Sequence, residues 1–340
     1  MAEAPHPWKF LRVDPIINFL NEIFWGYVLI YGLLAVGLFF TIRLGFVQLV
    51  YFPEMFRAVL GSNKADKAGI TPFQALCTSL ASRVGTGNLA GVAVALYLGG
   101  PGALFWMWVV AFLGMATAYA ESTLAQLYKV RNAEGEYRGG PAFYIARGLG
   151  APWAGAVFSV CLILAFGLVF NDTILICTAT GLMILLSGVM VPGSELTGTP
   201  LTKAAMSVHI GGAGHAFIAI AIFFFAFTSI IGNYSYAENA MTFLRLGNAT
   251  GLTVLRLGVL AMVLWGAYES VATVFNAADA SMGLMATVNL IAIVLLSGTV
   301  VKLTRDYAAQ RKAGEEPTFH AADFPELNGR IDQTIWTRNQ

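Results

Sequence analysis

Ser82-Arg83-Val84-Gly85-Thr86-Gly87-Asn88 places a guanidinium, two glycines and three polar side chains in the middle of an apolar run from Thr71 to Gly99. Glycine and polar residues lower the cost of unwinding a helix, and non-helical backbone at membrane depth persists only where it lines a cavity or is buried in protein. An unwound stretch there offers backbone chemistry: freed amides and the positive end of a half-helix for an anion, freed carbonyls for a cation. The bland alternative is a glycine-rich packing seam between helices. Arg83 counts against it, because an arginine at mid-membrane costs at least about 2.5–3.5 kcal/mol unless it meets water or a partner. The relaxed dinucleotide fingerprint Gly85-x-Gly87-x-x-Ala90 is rejected, since no strand precedes it and no acidic residue lies near the expected ribose position.

A second polar cluster follows Phe223-Phe224-Phe225-Ala226-Phe227 and runs from Thr228-Ser229 to Glu238-Asn239. Hydroxyls in an apolar helix commonly bond the carbonyl one turn back. The other reading is a hard-cation site, in which two neutral hydroxyls join carbonyls freed by another broken helix. For Glu238 and Asn239 the two readings are plain solvation at a helix end and a gate interaction. Cys77, Cys161 and Cys177 lack CxxC spacing and read as small membrane-helix residues rather than metal or redox ligands.

The elements that position these clusters follow from composition. The chain of 340 residues is 57% hydrophobic and 11% charged, against about 45–50% and 25% for soluble domains. Its mean hydropathy is +0.68. That excludes a soluble enzyme, a disulfide scaffold and a disordered chain. A net charge of +1, with no basic patch interleaved with aromatics, makes nucleic acid an unsuitable partner. No HExxH, GxSxG or P-loop motif occurs, so no enzymatic reaction is expected. Only helices or closed barrels satisfy the backbone in lipid, and these apolar runs are too continuous for barrel strands.

Candidate spans are Phe24–Ile42, Phe73–Leu98, Ala103–Leu127, Ala151–Val189, Ala216–Ile231, Leu252–Ala267 and Met282–Val301. The first is read as a mature span rather than a cleaved signal. Lys and Arg concentrate after the first, third and last spans, whereas Gly99–Gly102 and the Tyr268–Ser281 stretch carry none. An outward N-terminus and a cytoplasmic C-terminus satisfy this if Ala151–Val189 crosses an odd number of times. As one helix that stretch would be about 58 Å long, nearly twice the roughly 30 Å hydrocarbon core. A bent helix starting in the interface fits the charge pattern, as does the loss of an odd number of spans at Asn171/Asp172.

FQALCTSLASRVGTGNLAGVA, GGPGALFWMWVVAFLGMATAYAESTLA, GEYRGGPAFYI and IIGNYSYAENAMTFL resemble the sodium:alanine/glycine symporter family, and the likeness extends to ADFPELNGRID in the tail. That family resembles the leucine-transporter fold, two inverted repeats after one extra N-terminal helix. The resemblance makes Phe73–Leu98 the broken first core helix and Ala216–Ile231 the eighth. It implies sodium ligation by the carbonyls of Ala81 and Val84 and the hydroxyls of Thr228 and Ser229. It also implies that a substrate carboxylate docks on Thr86 and Gly87 with Asn88 alongside, and Arg83 and Glu238 are the gate candidates. AFGLVFN, resembling the third core helix, runs directly into DTILICTATGLMILLSG, resembling the seventh. Core helices four to six are thus missing, and joining helices that cross in the same direction accounts for both the length and the charge anomaly.

The expected fold class is all-α: a multi-pass transmembrane helical bundle with an incomplete leucine-transporter-like inverted-repeat fold. Residues 1–310 form its membrane domain of about seven or eight spans, and residues 311–340 a cytoplasmic tail. The expected function is sodium-coupled symport of alanine, glycine or a similar small amino acid across the inner membrane by alternating access. Sodium is the coupling ion, the lipid bilayer the surroundings, and no cofactor is needed. The internal deletion is expected to impair transport. The alternative is a non-transporting membrane remnant or partner protein.

Overall fold

The computed structural model describes residues 14–61, 69–83, 85, 87–132, 135–166, 174–190, 196–268 and 271–336. The chain opens with α1 (Asp14–Ile23), a π-helical stretch Phe24–Leu29, and α2 (Ile30–Arg43), which together give an apolar run from Ile17 to Arg43. Here Phe24 meets α14 (below) so closely that a Cβ on Gly283 would lie 2.6 Å from the Phe24 Cβ, and the Trp25 indole donates to the Asp279 carbonyl at 3.0 Å.

Two short helices, α3 (Val47–Val50) and α4 (Phe52–Gly61), lead to α5 (Pro72–Arg83) and α6 (Gly87–Gly99). The single expected span Phe73–Leu98 is therefore two helices, broken at the glycine-rich stretch. Then come α7 (Gly102–Leu127), the antiparallel pair β1 (Val130–Arg131) and β2 (Tyr137–Arg138), and α8 (Pro141–Gly148). Proline sits at the first position of α8, where its missing N–H is no loss.

The expected run Ala151–Val189 is α9 (Pro152–Phe166) and α10 (Ile174–Ser187), and the Asn171/Asp172 junction lies outside the described residues. Packing separates the two. Helix α9 lies against α8, α12 and α14, while α10 lies against α6, α7 and α11. Each buries its surface in a different cluster.

The remaining helices are α11 (Gly198–Ile210), α12 (Ala213–Phe243), α13 (Ala249–Tyr268), α14 (Val271–Leu295) and α15 (Ser297–Lys312). Three boundaries differ from the sequence reading. Helix α12 runs well past Ile231, because its polar end finds partners on neighbouring segments instead of unwinding. Residues 271–281, expected in a loop, are already helical in α14. The last span stops at Leu295, and Val301 belongs to α15, a polar helix that packs on α7 and α14.

Among the described residues five helices are long and apolar enough to cross a membrane: Ile17–Arg43, Gly102–Leu127, Ala213–Phe243, Ala249–Tyr268 and Ala278–Leu295. Shorter apolar helices cover Asn88–Gly99, Pro152–Leu164 and Cys177–Ser187. The main core joins α2, α7, α8, α9, α14 and α15 to the C-terminal segment. Small residues make its close contacts: Ala116, Ala120 and Ala292 are buried, and a Cβ on Gly37 would meet the Leu113 Cβ at 2.8 Å. Between membrane helices, where lipid is as apolar as leucine, such close approach is what holds neighbours together.

Candidate functional site

Helix α5 ends at Arg83 and α6 starts at Gly87. Between them Gly85 is buried, and its carbonyl accepts the Asn88 N–H at 3.1 Å. Val84 and Thr86 lie outside the described residues, as do the side chains of Ala81 and Arg83; the backbone of Ala81 is in the last turn of α5. The last four carbonyls of a helix have no intrahelical donor, and the first four amides of the next have no acceptor. This break therefore presents the negative end of α5 and the positive end of α6 close together in sequence.

Asn88 is fully buried, and its Oδ1 accepts the Cys177 thiol of α10 at 3.5 Å. The Leu89 carbonyl accepts the Thr202 hydroxyl of α11 at 2.9 Å. The start of α6 is thus fixed from two sides by α10 and α11, and Gly87 opens the helix that they hold.

The two hydroxyls on α12 differ. Thr228 donates to the carbonyls of Phe224 at 3.0 Å and Phe225 at 3.2 Å, the back-bonding that competes with a ligand role. Ser229 is buried, and its Oγ has no hydrogen-bond partner among the described residues. A buried hydroxyl left so costs on the order of 1–3 kcal/mol. Helix α5 packs directly on α12, so the segment bearing Ala81 lies against the helix bearing Ser229.

Glu238 meets Arg138, which bridges Glu136 at 2.9 Å and Glu238 at 3.4 Å. Beside it Asn239 donates to the Gly139 carbonyl at 2.7 Å. A Cβ on Gly139 would lie 2.6 Å from the Ala125 carbonyl oxygen, so this contact needs glycine. The end of α12 is thereby clamped to the β1–β2 hairpin, and Glu238 has Arg138 as its described cationic partner.

Sequence reasoning passed over a partly buried polar chain linking three helices. The Tyr144 hydroxyl of α8 donates to Asn289 Oδ1 of α14, and Asn289 Nδ2 donates to Glu121 Oε1 of α7 at 2.6 Å. Burial, then the nearby Glu121 charge, hold the Tyr144 phenol well above its usual range, so it stays a donor. The signal was available: Glu121 is the one Asp, Glu, Lys or Arg in the apolar sequence of α7.

Stacked apolar helices, one of them broken at its polar middle and packed on another that carries a buried hydroxyl, fit a multi-pass helical membrane protein. The profile described as "Sodium:alanine symporter family" matches residues 11–173 and 168–321, and the chain belongs to that family. It is 35% identical over 454 residues to "Amino-acid carrier protein AlsT" of Bacillus subtilis (strain 168), covering 92% of this chain and 96% of that protein. It is 32% identical over 465 residues to "Uncharacterized transporter YaaJ" of Escherichia coli (strain K12), with 94% and 98% covered. "Sodium/alanine symporter AgcS" of Methanococcus maripaludis is 28% identical over 445 residues, with 87% and 98% covered. An alignment of 454 positions that uses 92% of a 340-residue chain leaves about 140 positions with no residue here. The two profile matches meet at 168–173, at the junction read as an internal deletion.

Proposed function

We propose that this chain keeps the sodium-binding and carboxylate-docking half of a symporter for small neutral amino acids, alanine or glycine, and does not complete transport. The observation that carries the reading is the buried Ser229 hydroxyl, without a partner among the described residues, on the helix against which α5 packs. In this reading the carbonyls of Ala81 and Val84 join the hydroxyls of Thr228 and Ser229 around sodium. The amides of Thr86 and Gly87, with Asn88 beside them, receive the substrate carboxylate. Arg83 and Glu238 are the gate candidates of the same reading. The chain lies in the inner membrane with its N-terminus outside and its C-terminus cytoplasmic, in an incomplete inverted-repeat fold.

Impairment follows from what is missing. About 140 positions of the relative have no counterpart here, and in the leucine-transporter-like arrangement they include the helix that faces Thr86 and Gly87 across the site. The substrate ammonium group and side chain then lack partners, and rocking between two repeats loses the end of one and the start of the other.

Two measurements test this. Sodium should stabilise the purified chain against unfolding more than potassium at equal ionic strength, by about 2.7 kcal/mol at a hundred times Kd, and Thr228→Val with Ser229→Ala should abolish the difference. An unchanged sodium effect in that variant would place the ion elsewhere. No effect in the parent chain would favour the alternative of a non-transporting remnant or partner. Sodium-driven uptake of labelled alanine into proteoliposomes should be absent for this chain and present for the relative named sodium/alanine symporter AgcS, run in parallel. Saturable, sodium-dependent accumulation by the 340-residue chain would defeat the claim of impairment.

A further inference from the structure

A cavity of about 440 Å³ opens where α4, the end of α7, α15 and the C-terminal segment meet. None of the residues of the proposed transport site is among its described lining residues. Its size lies in the range of small-molecule pockets, about 300–1,000 Å³.

Aromatic rings dominate its wall: Tyr51, Tyr119, Tyr307, Phe319 and Trp336. They are held in place. Tyr51 and Tyr307 meet edge to face at 5.7 Å, as do Phe319 and Trp336 at 5.0 Å. The Trp336 indole donates to the Leu127 carbonyl at 3.2 Å, and the Tyr119 hydroxyl is 3.1 Å from the Thr304 hydroxyl. Burial, then the nearby Glu54, keep the Tyr307 phenol above its usual range and so neutral.

Two carboxylates share the cavity, and their surroundings differ. Glu54 is answered by Arg311 at 2.7 Å and by Arg57 at 3.8 Å. Asp306 accepts only the Gln310 amide, at 2.8 Å, and has no ion pair among the described residues. No Lys, Arg or His is among the described lining residues. A cage of electron-rich faces with one unneutralised carboxylate attracts a cation that carries apolar surface, through cation–π contacts and charge-assisted hydrogen bonds. Two cations at its border are engaged, Arg311 by Glu54 at 2.7 Å and Lys129 over the Trp336 ring at 4.5 Å, and a free amino acid would bring its carboxylate toward Asp306.

We propose that this cavity binds a small organic monocation, an ammonium group on an apolar or aromatic body, with the ammonium on Asp306 and the body against Tyr307, Phe319 and Trp336. The site is separate from the transport reading and stands or falls without it. The ammonium can come from a soluble amine or from a lipid headgroup.

The test uses the full chain in nanodiscs of phosphatidylglycerol, which has no amine, with phenethylammonium as probe and 3-phenylpropanoate as its anionic counterpart. Phenethylammonium should raise the melting temperature saturably, and the anion should not. Asp306→Asn, which keeps an acceptor for Gln310, should weaken the probe at least tenfold, and Asp306→Glu should restore most of the binding. Trp336→Leu should weaken it as well. If phosphatidylethanolamine in the nanodisc competes with the probe, the ammonium source is the lipid headgroup; if not, it is a soluble amine. Either result keeps the cation site. Equal shifts from cation and anion, no saturable shift, or unchanged affinity in Asp306→Asn would overturn the proposal.

Discussion

Helices α13 and α14 are comparably apolar, yet the parts of the molecule around them are packed in opposite ways. Around α14 the helices α2, α7, α8 and α9 close on one another through alanines and glycines, with Phe40, Leu124 and Ile293 fully buried between them. Around α13 there is little to close on. Among its described residues Leu255 alone is buried, and Val254, Leu257, Leu260 and Leu264 face outward. The adjoining face of α12 exposes Phe223, Phe224, Phe227 and Ile231, and α5 exposes Phe73 and Leu80. Hydropathy puts both regions in the membrane; close backbone approach decides which one is a core. The loosely covered region includes the helices of the proposed sodium site, and it is also where a chain lacking about 140 family positions has fewest neighbours.

The contrast can be broken by truncating one side chain in each region. Phe40→Ala empties a filled site and should cost about 3–5 kcal/mol, while Leu260→Ala on the outward face should stay within about 0.5 kcal/mol. Unfolding in mixed micelles, followed by circular dichroism, measures both. Similar losses would mean that the two regions are equally packed.

Adding a methyl group sharpens the same comparison with smaller effects. Gly37→Ala drives a Cβ to 2.8 Å from that of Leu113, and overpacking of this kind costs about 1–3 kcal/mol. Gly258→Ala on α13 meets nothing within 4 Å and should be neutral or stabilising by up to about 1 kcal/mol, the helix-propensity difference. A destabilised Gly258→Ala would reveal a neighbour on the α13 face.

A small effect is also expected at the clamp on α12. Glu238→Gln removes one of two carboxylates on Arg138, with the side chains 21% and 29% exposed. It should cost no more than about 1 kcal/mol, because Arg138 keeps Glu136 and such pairs are screened. A loss of several kcal/mol in the same unfolding assay would show that the hairpin contact, and not the alanine-rich core, holds α12 in place.

Much of this organisation was legible in the sequence. The break between Arg83 and Gly87 falls where glycines and polar side chains interrupt an apolar run, because unwinding is a local property of those residues. The odd length of Ala151–Val189 marked a junction, and the structure divides it between two clusters. Boundaries were less legible. The polar residues beyond Ile231 read as a helix end, but Asn239 and Glu238 find partners 100 positions away on Gly139 and Arg138, and α12 continues. The chain Tyr144–Asn289–Glu121 was passed over for the same reason, since its members are separated by up to 168 positions.

Composition and spacing by themselves determined a helical membrane chain with one broken span, and its motifs determined the family, because hydropathy and backbone propensity are properties of neighbouring residues. Tertiary structure alone decided that Ser229 is buried without a described partner while Thr228 back-bonds to its own helix. Adjacent positions on a helix point about 100° apart, so only the packing of α5 on α12 could separate two hydroxyls that look equivalent in the sequence. It alone also gathered Asp306, Tyr307 and Trp336 around one cavity, because they come from elements brought together by folding and not by spacing.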